Sequence, residues 1–130
     1  MKHRAICERF VAALGQGDWP AMEQMLDADF EVVEAEGLPY AGTYHGFEGW
    51  RRLSDAVLST WSGFRLNLIE MHGGDEDAAV MRFAMSGRSR KTGTAWETTV
   101  LELWKFRDGK LARIDPYYFD TNLLARADAA

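Results

Sequence analysis

Apolar residues at three- and four-residue spacing open the chain. Ile6, Phe10, Ala13 and Leu14 share one helical face, which predicts a helix over about Lys2 to Leu14 that Gly15 and Gly17 terminate. Asp18 then caps a second helix, with Pro20 in its first turn and Met22, Met25 and Leu26 turned inward as core filler. Phe30 to Glu34 reads as a short strand, and Gly37, Pro39 and Gly42 mark a loop. A third helix is expected from about Phe47 to Trp61. Trp50, Leu53, Val57 and Trp61 form its apolar stripe, and Glu48, Arg51, Arg52 and Asp55 face water.

Beyond Gly63 the periodicity shortens to two. Strands are predicted at Phe64 to Met71, Ala78 to Gly87, Thr94 to Phe106 and Lys110 to Tyr118, and Ala125 to Ala130 are expected to fray. Helices followed by strands with hairpin-length links define an α+β fold, with helices on one face of a largely antiparallel sheet. The last two strands turn at Arg107-Asp108-Gly109, and the turn decides which side chains share a face. A two-residue turn pairs Phe106 with Leu111 and brings Arg113, Asp115 and Tyr117 beside Glu102. A three-residue turn with Gly109 left-handed pairs Phe106 with Lys110 and brings Ala112, Ile114, Pro116 and Tyr118 there instead. The second is preferred, because it groups the apolar residues with Trp104 and Phe106.

Composition narrows the possibilities. The 130 residues suit a single domain, 1–130, and 47% of them are hydrophobic, as in ordinary globular chains. Fifteen basic against 20 acidic residues leave a formal charge of −5, which argues against nucleic-acid and anionic-membrane partners. No apolar run reaches membrane-spanning length, and MKHRAICERF has no hydrophobic segment of a secretory signal. One cysteine, Cys7, excludes an intrachain disulfide, fits a reducing compartment and makes the cytoplasm the default location.

Candidate chemistry is equally restricted. His3, His45 and His72 lack metal-ligand spacing, and Asp75-Glu76-Asp77 is too short to wrap calcium. Neither a phosphate-binding glycine loop nor a nucleophile elbow is present, and Cys7 reads as an inert core thiol. The carboxylates carry more information. Glu102 lies mid-strand between Val100 and Trp104. Under a helical cover it would be desolvated into a neutral acid; on an open face it would be solvated or paired with Arg82. Glu34 ends its strand beside the loop holding Tyr40 and His45, either as a solvated terminus or as part of a site.

The succession ERFVAALGQGDWPAMEQML, DADFEVVE, GTYHGFEGWRRL and ELWKFRDGKLARIDPYYFD resembles the nuclear-transport-factor-2-like superfamily, particularly its SnoaL-like and ketosteroid-isomerase-like members, over almost the whole chain. The resemblance implies a cone of curved, mostly antiparallel mixed sheet closed by three N-terminal helices around a deep apolar pocket. It also implies homodimers through the outer sheet face, which accounts for apolar Leu101 and Leu103 opposite Glu102. By position Glu34 resembles the carboxylate base of the steroid isomerases, and Glu102 their protonated oxyanion-binding acid. The hydroxyl donor of those enzymes is matched by Phe10, which cannot donate, so steroid isomerisation is disfavoured.

Polyketide-cyclase-like aldol chemistry, through Glu34, Glu102 or His45, and epoxide-hydrolase-like water activation, for which Arg82 invites comparison, stay open. The expected function is that of a small-molecule pocket protein, acting without metal or organic cofactor on an apolar carbonyl- or hydroxyl-bearing compound. Glu34, Glu102 and Tyr118 are the expected catalytic groups, with Phe10, Trp50, Trp104 and Ile114 as walls, Tyr40 and His45 near the mouth and Arg82 as a further contact. The alternative is a non-catalytic ligand-binding or dimerisation domain.

Overall fold

The computed structural model describes residues 2–129. Two helices, not three, precede the sheet: α1 (Arg4–Gln16) and α2 (Trp19–Met25). Gly17 closes α1 in the left-handed conformation, with φ 65°, and the Asp18 carboxylate caps α2 by accepting from the Ala21 N–H at 3.2 Å. The chain then enters β1 (Leu26–Glu34), β2 (Gly42–His45), α3 (Gly46–Thr60), β3 (Trp61–Gly73), β4 (Ala78–Ser89), β5 (Ala95–Arg107), β6 (Lys110–Tyr118) and α4 (Thr121–Asp128).

Three features correct the expected architecture. A further short strand, β2, forms between β1 and α3 in the segment read as a loop and pairs antiparallel with β1. The strand order β2-β1-β6-β5-β4-β3 leaves β2 and β3 as free edges, so the sheet is open rather than a closed, curved cone. Its one parallel pair is β1 with β6. The C-terminal segment expected to fray carries α4, whose Leu124 and Ala127 are buried and whose N-terminus is capped by Asp120. The fraying expected at Ala130 lies outside the described residues.

Trp61, expected in the helical stripe, is instead the buried first residue of β3, where the helix ends in an extended conformation.

The β5–β6 turn also differs from expectation. Asp108 and Gly109 have φ values of 51° and 75°, and Phe106 pairs with Leu111, so the turn has two residues. The register then shifts: Lys105 pairs with Arg113, leaving Ala112 as the extra residue of a bulge. Past the bulge, Trp104 faces Ile114, Glu102 faces Pro116 and Val100 faces Tyr118. The shift has a packing cause, because it buries both Leu111 and Ile114 while Arg113 and Asp115 remain on the other face. Ala112 consequently leaves the set expected beside Glu102.

The core between sheet and helices is aromatic. Phe10 of α1 lies 5.6 Å from the Trp50 ring of α3 and 5.5 Å, edge to face, from Trp104 of β5. Trp50 donates its indole N–H to the Met22 sulfur at 3.4 Å, which ties α3 to α2.

Candidate functional site

Alternation along β1 turns Phe30, Val32 and Glu34 toward the core, and all three are buried. Parallel pairing of Val32 with Ile114, continued two residues, brings Glu34 level with Pro116, which pairs with Glu102 on its other side. The two glutamates thus flank Pro116 two strand spacings apart, roughly 10 Å between Cα atoms. Proline has no N–H to donate, and the β1–β6 ladder ends at Ile114, before it reaches Pro116.

Tyr118, two residues beyond Pro116 on the same face, donates its hydroxyl to Glu34, 3.0 Å from Oε1 and 3.3 Å from Oε2. Glu34 is only 6% exposed, and burial, aided by repulsion from Glu102, pushes its carboxyl up to about 8 despite the Tyr118 bond. Glu102 Oε1 accepts the Trp104 indole N–H at 3.0 Å. Desolvation pushes Glu102 up to about 7, yet the residue stays half-buried, as does Tyr118.

Tyr40 completes the cluster. Its buried hydroxyl accepts the Trp61 indole N–H at 2.9 Å and lies near enough to Tyr118 to influence proton binding. Burial raises Tyr118 and Tyr40 well above the ordinary phenol range, so both stay protonated donors at neutral pH.

Phe10, Trp104 and Ile114 are fully covered, and Trp50 nearly so; they form the apolar packing behind the cluster. Two expected contacts lie elsewhere. His45 is exposed, opposite Glu31 in the β1–β2 ladder, with Nδ1 3.5 Å from the Glu31 carboxylate; strand parity puts both on the face away from Glu34. Arg82 points from the same open face and contacts Glu70 at 3.4 Å, so it neither pairs with Glu102 nor enters the site.

Sequence reasoning missed the donor role of Trp61 and the contribution of α4, whose Asp128 acts electrostatically on Tyr40. The Asp120-Thr-Asn-Leu-Leu pattern could have revealed α4, since aspartate before an apolar stretch is a capping signal. Cys7 is completely buried, and burial pushes its thiol up to about 11, which suits a core thiol rather than a nucleophile. Among the described residues no three His, Cys, Asp or Glu side chains converge in a metal-binding group, and no helix is long and apolar enough to cross a membrane.

An open cleft of about 680 Å³ is lined by Arg82, Ala84, Glu97, Thr99, Phe119 and Leu123 among others, and none of the polar cluster contributes to it.

The helix-covered mixed sheet is that of nuclear-transport-factor-2-like, SnoaL-like proteins. The chain belongs to the SnoaL-like domain family, whose model matches residues 7–114. An NTF2-like protein from Burkholderia thailandensis is 28% identical, with 98% of this chain and 97% of that one aligned at a TM-score of 0.88. TerC, crystallised with polyporic acid, is 21% identical over 95% of this chain and 98% of its own, at 0.81. A putative polyketide cyclase from Pseudomonas putida is 18% identical over 99% of both chains, at 0.78. No curated protein matches the chain.

Proposed function

We propose that this SnoaL-like chain binds a small, mainly apolar compound bearing a carbonyl or hydroxyl group and transforms it by carboxylate acid/base chemistry, as a cofactor-independent isomerase, cyclase or hydrolase. The supporting observation is the convergence of Glu34, Tyr118 and Glu102 around Pro116 on the covered face, with aromatic packing behind them. Carboxyls pushed up to about 8 and about 7 exchange protons near neutral pH, where general acid/base groups are most effective. Tyr118 supplies a hydroxyl donor that Phe10 cannot.

Polyporic acid, the compound crystallised with TerC, is a suitable first probe, alongside a panel of flat hydroxylated aromatic ketones. Binding is expected to shift the Trp104 indole N–H resonance saturably, and Tyr118→Phe is expected to weaken it about tenfold, the loss of one good hydrogen bond. Binding that leaves Trp104 unmoved, or no binding across the panel, contradicts this assignment. Binding without turnover of any member supports the non-catalytic alternative.

The same reading includes a homodimer through the open sheet face. Leu101 is 46% and Tyr117 64% exposed there, in paired positions on β5 and β6, and both are large apolar side chains. Sedimentation of the wild type is expected to give a dimer, and Leu101→Arg a folded monomer. A monomeric wild type removes the dimer from the account.

A further inference from the structure

The two carboxyls are differently equipped. Trp104, whose N–H contacts Glu102 Oε1, is fully buried and fixed edge-on by Phe10 at 5.5 Å, with Phe83 at 6.4 Å. An indole N–H only donates, so it favours the ionised carboxylate. Glu102 Oε2 makes no hydrogen bond among the described residues, yet it is not sealed off: the one buried side-chain polar atom there without a partner is Trp96 Nε1. Glu34 is more deeply enclosed, and both its oxygens face the Tyr118 hydroxyl. A phenol donates or accepts, so Tyr118 satisfies Glu34 in either protonation state.

We propose that Trp104 is a positioning residue: its N–H holds Glu102 as the ionised, proton-accepting partner with Oε2 free for substrate, and the proton of the pair resides on Glu34 beside Tyr118. This exchanges the roles expected from the family resemblance, in which Glu34 is the base and Glu102 the neutral acid. It rests on the acid/base reading above.

The surrounding groups support the arrangement. Glu34 feels Glu102 across Pro116 and Tyr118 from β6, and it acts in turn on Tyr40 from the loop after β1 and Tyr44 from β2; Asp128 of α4 acts on Tyr40. Among the described residues no lysine, arginine or histidine contributes to the shift of either carboxyl. Two like charges therefore face each other without a cation, which favours one proton on the pair at neutral pH. That proton belongs on the more enclosed carboxyl, the one without an obligate donor.

The arrangement selects an enolisable carbonyl compound. Glu102 Oε2 takes a proton from the carbon next to the carbonyl, and the C–H electron pair forms the carbon–carbon double bond. The carbonyl π electrons move to oxygen, which takes the proton of Glu34. Glu102 is then neutral and Glu34 ionised. Return of the first proton to the same or a conjugated carbon, and of the enol proton to Glu34, restores both groups without an oxidant, a reductant or a third reactant.

Carbon-13 NMR titration of glutamate carboxyls tests this without substrate, so its outcome is independent of whether polyporic acid binds. Glu34→Gln and Glu102→Gln identify the two resonances. In the wild type Glu102 is expected to titrate at lower pH than Glu34. Trp104→Phe, which keeps an aromatic ring but removes the N–H, is expected to raise the Glu102 midpoint by about one pH unit and lower that of Glu34. A wild type in which Glu34 ionises first overturns the proposal whether or not the variant folds. A folded Trp104→Phe protein with an unmoved Glu102 midpoint overturns the role of Trp104.

Discussion

Glutamine in place of Glu34 is expected to stabilise the protein at pH 9 by roughly 3 kcal/mol, about 10 °C in Tm, while changing little at pH 5. The sign follows from the direction of the shift. Burial and Glu102 raise the folded midpoint of Glu34 from 4.5 to about 8, so the folded chain holds this proton more tightly than the unfolded chain does. The associated stability is complete below about 4.5 and disappears as pH rises through about 8. Glutamine keeps the shape and an acceptor for Tyr118 but never ionises, and it also relieves Glu102 of its repulsive neighbour. Urea unfolding at pH 5, 7 and 9 should therefore give a steep decline for the wild type and a shallow one for the variant. Parallel pH profiles would mean that Glu34 ionises without hindrance. A gain in stability with a loss of acid/base function is the usual signature of a functional group held in an unfavourable environment.

Phe10→Ala carries the second large effect, an expected loss of about 3–5 kcal/mol at all pH values. Phe10 is completely buried, between Trp50 and Trp104, so its truncation leaves a cavity among aromatic rings. In thermal unfolding this corresponds to a fall in Tm of about 15 °C. The consequence extends to the site, because Phe10 fixes the ring whose N–H holds Glu102. A fall smaller than about 1 kcal/mol would show that α1 is not a principal part of the core. Phe10 thus serves as the support for the donor Trp104.

Residue patterns revealed the principal elements to different degrees. The stripe of Ile6, Phe10 and Ala13 and the alternation through Val100, Glu102 and Trp104 were legible, because each encodes a single period over several turns or strand residues. The Ala112 bulge was not. Its cause is the joint burial of Leu111 and Ile114, three positions apart, which a strict period of two cannot accommodate. Glu102 and Tyr118 still share a face, since the unexpected two-residue turn and the bulge offset each other's register. His45 and Arg82 lie away from the cluster for a related reason: neither closeness in sequence to Glu34 nor a mid-strand position specifies strand parity, and both fall on the open face. β2 was not legible, because it is a four-residue strand of mostly exposed positions with almost no hydrophobic signature.

On this proposal two desolvated carboxyls share one proton near neutrality. Infrared difference spectra at a pH between about 7 and about 8 test this directly. The wild type is expected to show the band of a buried protonated carboxyl, absent from Glu34→Gln and retained in Glu102→Gln. A wild type with no protonated carboxyl band, both glutamates being ionised, would contradict it.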